Sequence, residues 1–144
     1  MKTTPDPAAA QPMRLAPIVT PDAKFFWDAA DRGELVGQRC GACQRFRFPP
    51  RPMCPHCHSL EREVVPLSGR GRVYSWIRPV HPQPFGFAEP PIVALIELAE
   101  GFRIVSNLVR IAFEDVRAEL PVAVEFEATQ GGHRVPVFRP VSAS

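Results

Sequence analysis

Four cysteines carry the most specific chemistry in the chain. Cys40-Gly-Ala-Cys43 and Cys54-Pro-His-Cys57 form two C-x2-C knuckles with ten residues between them. Two intervening residues let both sulfurs of a tight turn face one ion, and two such turns complete a tetrahedral thiolate shell. Gly41 and Pro55 suit the turns, and residues 45–48 can form a hairpin between the knuckles. The spacing points first to structural zinc, with rubredoxin-like iron and a pair of disulfides as the other readings. A catalytic metal is disfavoured, because four thiolates leave no coordination position for water. His56 and His58 flank Cys57. Beside a complete four-cysteine set they read as solvent-facing imidazoles rather than as ligands.

The other reactive side chains are more dispersed. Arginine outnumbers lysine fifteen to two, and Arg39, Arg45, Arg47 and Arg51 surround the knuckles. Guanidinium forks suit phosphate, which makes Arg45, Arg47 and Arg51 candidate ligand-binding residues; the competing reading is that they offset a negative metal centre or lie solvated. Residues 79–91 (PVHPQPFGFAEPP) are the longest irregular connection. There Phe85 and Phe87 can cover a ligand, insert into a partner or cap the end of a barrel. His81 in the same loop has no partner in sequence and reads as an exposed loop histidine. Trp76 and Tyr74 can stack on bases or fill a barrel interior. Phe25, Phe26 and Trp27 form a dense aromatic group that serves either core packing or docking on a partner.

These residues must be positioned by short elements. Eighteen prolines in 144 residues exclude a mostly helical protein. Residues 1–19 read as a flexible or extended tail, rich in alanine and proline. A helix is expected within residues 20–36, with Thr20 as N-cap, Pro21 in the first turn and Gly33 as the stop. Residues 37–66 hold the cysteine knuckles. From residue 67 to 144 strand follows strand: 70–80, 92–98, 102–109, 122–127 and 134–138. In the first of these, Val73, Ser75 and Ile77 should share one face, with Tyr74, Trp76 and Arg78 on the other. Five strands and one long connection suggest a five-stranded OB-fold barrel. The fold class expected is therefore mainly β, with an N-terminal helix, a metal ribbon and a C-terminal barrel.

The segments FFWDAADRGELVGQRCGACQRFRFPPRPMCPHC, GRGRVYSWIRPV…PPIVALIELAEGFRIVSNL and PVAVEFEATQGGHRVPVFRP together resemble the zinc-ribbon/OB-fold proteins associated with acyl-CoA metabolism. The resemblance covers roughly residues 22–141 and is most specific at the four cysteines, Pro49-Pro50-Arg51 and Phe138-Arg139-Pro140. It implies an N-terminal helix, a rubredoxin-like zinc ribbon and an OB barrel. It also implies a non-catalytic partner of thiolase-like enzymes, including lipid-transfer-type thiolases and aldolases, or of hot-dog-fold hydratases, with coenzyme A or an acyl-CoA as ligand. On that reading the ribbon arginines would clamp the phosphates of coenzyme A. Ala112-Phe113-Glu114-Asp115 departs from the family, many members of which carry a glycine-containing segment there.

No serine flanked on both sides by glycine occurs, and a metal would take every cysteine, so an autonomous enzyme is not expected. The formal charge is +2 with neutral cysteines, and four thiolates around a divalent ion bring it near zero. That argues against a duplex-DNA binder. A single-stranded nucleic-acid module and a rubredoxin-like electron carrier are the alternative functions. No apolar run reaches the 18 or so residues of a membrane span and no secretory core is evident, so a cytoplasmic protein with reduced thiols is expected.

Overall fold

Proline-rich sequence before the helix does not leave all of that segment free. The computed structural model describes residues 13–142; residues 1–12, most of the expected tail, lie outside the described residues. Residues 13–19 have no helix or strand, yet they are anchored. The Arg14 side chain donates to Glu127 at 3.1 Å and to Asn107 at 2.7 Å, and its carbonyl accepts the Gln130 backbone N–H at 2.8 Å. Two side-chain partners thus hold Arg14 against the barrel.

Helix α1 spans Lys24–Asp31 and starts later than expected. Residues 21–23 form a turn in which the Ala23 N–H donates to the Thr20 carbonyl at 3.1 Å, and Ala23 is the N-cap with no side-chain cap. Thr20 therefore contributes its backbone oxygen rather than its hydroxyl. Phe26, Ala29 and Ala30 fall at helical spacing and are the buried face. Gly33 takes a φ of 76° just past the helix, a conformation glycine reaches at low cost.

Next comes a three-stranded sheet of order β2-β1-β3, made by β1 (Val36–Cys40), β2 (Phe46–Arg47) and β3 (Arg62–Pro66). The central strand β1 pairs antiparallel with both neighbours, Gln38 opposite Arg47 and Cys40 opposite Arg62. The expected hairpin of residues 45–48 is shorter, a two-residue strand folded back on β1.

Strands β4 (Arg70–Ile77), β5 (Ile92–Leu98), β6 (Arg103–Leu108), β7 (Pro121–Ala128) and β8 (Arg134–Pro140) close into a barrel of order β4-β5-β6-β8-β7. All barrel pairings are antiparallel except β6–β8, which is parallel and has one register pair, Leu108 with Phe138. The interior is built from Val73, Ala94, Ile96, Leu98, Ile104, Leu108, Val122 and Phe138, with Phe26 and Leu35 joining from outside the barrel. The faces expected for β4 are corrected by a bulge between Val73 and Ser75. One extra residue shifts the alternation, so Val73 is buried, Ser75 and Ile77 are exposed, and Trp76 packs partly against the core. Residues 113–115 form a single 3-10 turn within the segment that departs from the family. The ribbon is tied to the barrel by Phe46 stacked on Phe102 at 4.7 Å between centroids.

Candidate metal centre and arginine pocket

The two cysteine knuckles are local copies of one backbone turn. Cys40 N–H donates to the Arg45 carbonyl and Gln44 N–H to the Cys40 carbonyl; Cys54 N–H donates to the Ser59 carbonyl and His58 N–H to the Cys54 carbonyl. Gln44 and His58, each four residues after the leading cysteine, sit at φ of 66° and 63°. The repeated turn brings the four Sγ atoms within 4.8 Å of one another. Cys40 Sγ lies 3.5 Å from Cys57 Sγ and Cys43 Sγ 3.7 Å from Cys54 Sγ, and all four cysteines are free, so the disulfide reading is set aside.

The local backbone favours thiolate. The backbone N–H groups of Ala42 and Cys43 both point at Cys40 Sγ at 3.4 Å. The Cys43 N–H, aided by that of Ala42 and by neighbouring thiols, outweighs burial and brings Cys40 down to about 6. Cys54 is lowered by the Cys57 and His56 backbone N–H groups against its burial. Cys57 receives the Ser59 backbone N–H, which favours its charge, but Cys40, burial, Cys43 and Cys54 outweigh this and push it up to about 11. Four converging sulfurs with thiolate-favouring donors fit one thiophilic ion held by Cys40, Cys43, Cys54 and Cys57. His56 is outside this group: its Nδ1 lies 2.9 Å from Arg45 Nη1.

The candidate ligand residues do not form one constellation. Arg47 and Arg51 line a pocket of about 250 Å3 between ribbon and barrel. Arg45 is exposed and turned toward His56. Phe85 and Phe87 line a separate apolar groove of about 430 Å3 with Phe26, Trp27, Arg14, Leu15, Pro17 and Ile18. Trp76 lines a third depression with residues of β4, β5 and β6. Phe85 is 81% exposed, whereas Phe87 is half-buried under the Arg14 guanidinium, 4.8 Å from its ring centre. Of the proposed docking aromatics, Phe26 is corrected to a core residue: it is 6% exposed and packs edge-on against Trp27 and beside Phe48. Phe25 and Trp27 remain half-buried. Residues that sequence reasoning passed over are Gln38, Arg103, Arg14 and the Asp31–His133 pair at 3.0 Å. Gln38 alone left a trace, a polar residue on the same face of β1 as Val36 and Cys40.

Residues 27–61 match the family described as ChsH2, rubredoxin-like zinc ribbon domain, and residues 64–127 match ChsH2, C-terminal OB-fold domain. A DUF35 domain-containing scaffold protein of Methanocaldococcus jannaschii is 39% identical over 94 residues, 64% of this chain and 67% of that protein. The chain belongs to the ChsH2/DUF35 family. Another member of similar sequence is a probable enoyl-CoA hydratase alpha subunit from Thermomonospora curvata, 42% identical over 128 residues. That match takes in 89% of this chain but 40% of the hydratase subunit, so the chain spans about two fifths of that relative. Among solved structures, a chain of the Ltp2-ChsH2(DUF35) aldolase superposes with a TM-score of 0.77 at 42% identity, over 87% of this chain and 98% of that one. The ChsH2/DUF35 architecture of helix, ribbon and five-stranded barrel is thus the one the sequence motifs anticipate. No helix among the described residues is long and apolar enough to cross a membrane.

Proposed function

We propose that this chain is a non-catalytic, acyl-CoA-binding accessory subunit that works against a thiolase-like, aldolase or hydratase subunit. The observation that carries the reading is the solved aldolase: this chain covers 98% of a chain in the Ltp2-ChsH2(DUF35) aldolase at 42% identity. The relative named as a hydratase alpha subunit supports the same role. In this reading Cys40, Cys43, Cys54 and Cys57 hold structural zinc, which supplies a crosslink between the knuckles and no open coordination site. Arg47 and Arg51 serve the phosphates of coenzyme A. Phe85, Phe87 and Trp76 offer apolar contacts, and Phe25 and Trp27 contribute to docking the partner. The protein acts in the cytoplasm, where its thiols stay reduced.

Co-expression with thiolase-like, aldolase-type and hydratase subunits tests the proposal. A stable complex with one of them and acyl-CoA binding by calorimetry are the expected results. No co-purification with any of the three, together with no heat on acyl-CoA addition, overturns it. Metal analysis of the purified protein should return one zinc per chain; visible thiolate-to-iron absorption would favour an electron carrier instead. The nucleic-acid alternative is not pursued, because barrel arginines that could have lined a groove are paired with acids: Arg72 and Arg103 with Glu97, Arg110 and Arg139 with Glu125.

A further inference from the structure

Arg47 and Gln38 face each other across β1 and β2 and are 4% and 2% exposed. Gln38 Oε1 accepts two hydrogen bonds, from Arg47 Nε at 2.9 Å and from the Arg51 backbone N–H at 2.8 Å. Arg47 Nε also donates to the Arg51 carbonyl at 3.1 Å. These bonds fix both side chains and assign the Gln38 amide, leaving its Nε2 as a donor. Gln38 Nε2 and both Arg47 Nη nitrogens are then buried without a partner; among the described residues, Glu100 Oε1 is the one other such side-chain atom. All three on this strand pair are donors. Buried donors are ordinarily satisfied, so three together on a rigid frame stand out beside the ribbon–barrel pocket that Arg47 lines.

The surroundings indicate its charge. Arg47 lines the ribbon–barrel pocket with Arg51, Arg103 and His56, between the aromatic walls Phe46, Phe48 and Phe102. No carboxylate among the described residues lines this pocket. Arg103 is held in place by Glu97, 3.3 Å from its Nε, and by the Tyr74 ring 3.7 Å beneath its guanidinium. Arg47 and Arg51 pair with no acid among the described residues, in contrast to Arg14, Arg39, Arg72, Arg110 and Arg139. The thiolate centre can balance their charge through space, but a distant charge cannot fill the directional N–H valences of Arg47. Two unpaired guanidiniums and a third shared with Glu97 match a dianionic phosphate better than a singly charged carboxylate.

We propose that Arg47, positioned by Gln38, forms with Arg51 and Arg103 an oxyanion site that takes the phosphate group of a small ligand in the ribbon–barrel pocket. The site deepens the acyl-CoA reading, which it needs only to identify the molecule carrying the phosphate. Arg45 drops out of the clamp, because its guanidinium is turned to His56.

The test uses the metal-loaded full chain with inorganic phosphate, adenosine 3′,5′-bisphosphate and, as a carboxylate control, acetate. Arginine side-chain NMR and calorimetry are the readouts. Phosphate and the bisphosphate should shift the Arg47 Nε–H signal, and acetate should not. Arg51→Gln and Arg103→Gln, both at exposed side chains, should each weaken phosphate binding about tenfold. Arg110→Gln, whose side chain pairs with Glu125 and does not line the pocket, should leave it unchanged. Arg47→Lys should abolish the response; if that variant fails to fold, the two exposed-site variants decide. An unmoved Arg47 signal, equal binding by the Arg51 and Arg103 variants, or acetate binding as tightly as phosphate overturns the assignment. If acyl-CoA binds while phosphate neither competes nor moves Arg47, this site fails and the accessory reading stands. If phosphate moves Arg47 and acyl-CoA does not bind, the site stands and that reading fails.

Discussion

At each knuckle a non-glycine residue, Gln44 or His58, occupies the left-handed position four residues after the leading cysteine. A glycine there would relieve that conformation, so His58→Gly should leave thermal stability unchanged or raise it by up to about 1 kcal/mol, as read by denaturant melts. The cysteines behave otherwise. Cys57→Ser removes one of four converging sulfurs, and the metal affinity of that variant should fall by orders of magnitude in chelator competition. Because the Cys57 thiol stands at about 11 without metal, ion uptake at neutral pH must displace its proton. Affinity should therefore rise with pH through the neutral range, and calorimetry in buffers of different ionisation enthalpy should count at least one released proton per ion. These four ligands were legible in sequence because a C-x2-C knuckle is a local device. Gln38 was not, because its role depends on standing opposite Arg47, a register that a linear sequence does not display.

Among the elements, β4 taught most about that limit. Its alternating pattern was readable, but the bulge after Val73 turned Trp76 inward and left Ser75 and Ile77 outside. Bulges follow from how two strands fit together, and no residue of β4 announces one. The entry to β4 is more strictly determined. Gly69 has a φ of 77°, and a Cβ there would collide with the Val124 side chain on β7. Gly69→Ala should cost roughly 2–4 kcal/mol in denaturant unfolding, combining backbone strain with overpacking at barrel closure. The start of α1 was misplaced because Thr20 looks like a cap in sequence while a turn over residues 21–23 delays the helix. Its far end is tied to the β7–β8 turn by Asp31, which accepts the Arg134 backbone N–H and the His133 Nδ1–H, each at 3.0 Å. The Arg134 bond, with His133 adding to it and burial opposing, holds the Asp31 carboxyl below its ordinary 3.8. A lowered acid stabilises the fold above its unfolded pKa and ceases to do so as pH falls through its folded value. The melting-temperature gap between the native chain and Asp31→Ala should accordingly be full above about pH 4 and close in stronger acid.

Across the whole molecule, charge pairing is uneven. On the barrel, Arg72, Arg103, Arg110 and Arg139 are matched to Glu97 and Glu125, and on the ribbon Arg39 pairs with Glu63, whereas Arg45, Arg47 and Arg51 have no acidic partner among the described residues. Composition hid this, since the net charge is only +2. Stability divides by region. The barrel has its own apolar interior, and the ribbon meets it through contacts such as the Phe46–Phe102 stack. Chelation should therefore melt the ribbon first, with ribbon amides losing hydrogen-exchange protection while Ile96 and Val122 keep theirs. A single cooperative collapse on metal removal would contradict that division. The barrel in turn has a seam of its own. Strands β6 and β8 meet at one register pair, and nearby Pro136 has no N–H to offer, its carbonyl being taken instead by the Ser106 hydroxyl at 2.9 Å. That line of the wall is stitched rather than woven, so it should breathe faster than the other strand boundaries. Since Ser106, Asn107, Val135 and Pro136 also edge the apolar groove beside Phe85 and Phe87, whatever settles there acts as a clasp on the barrel's weakest closure.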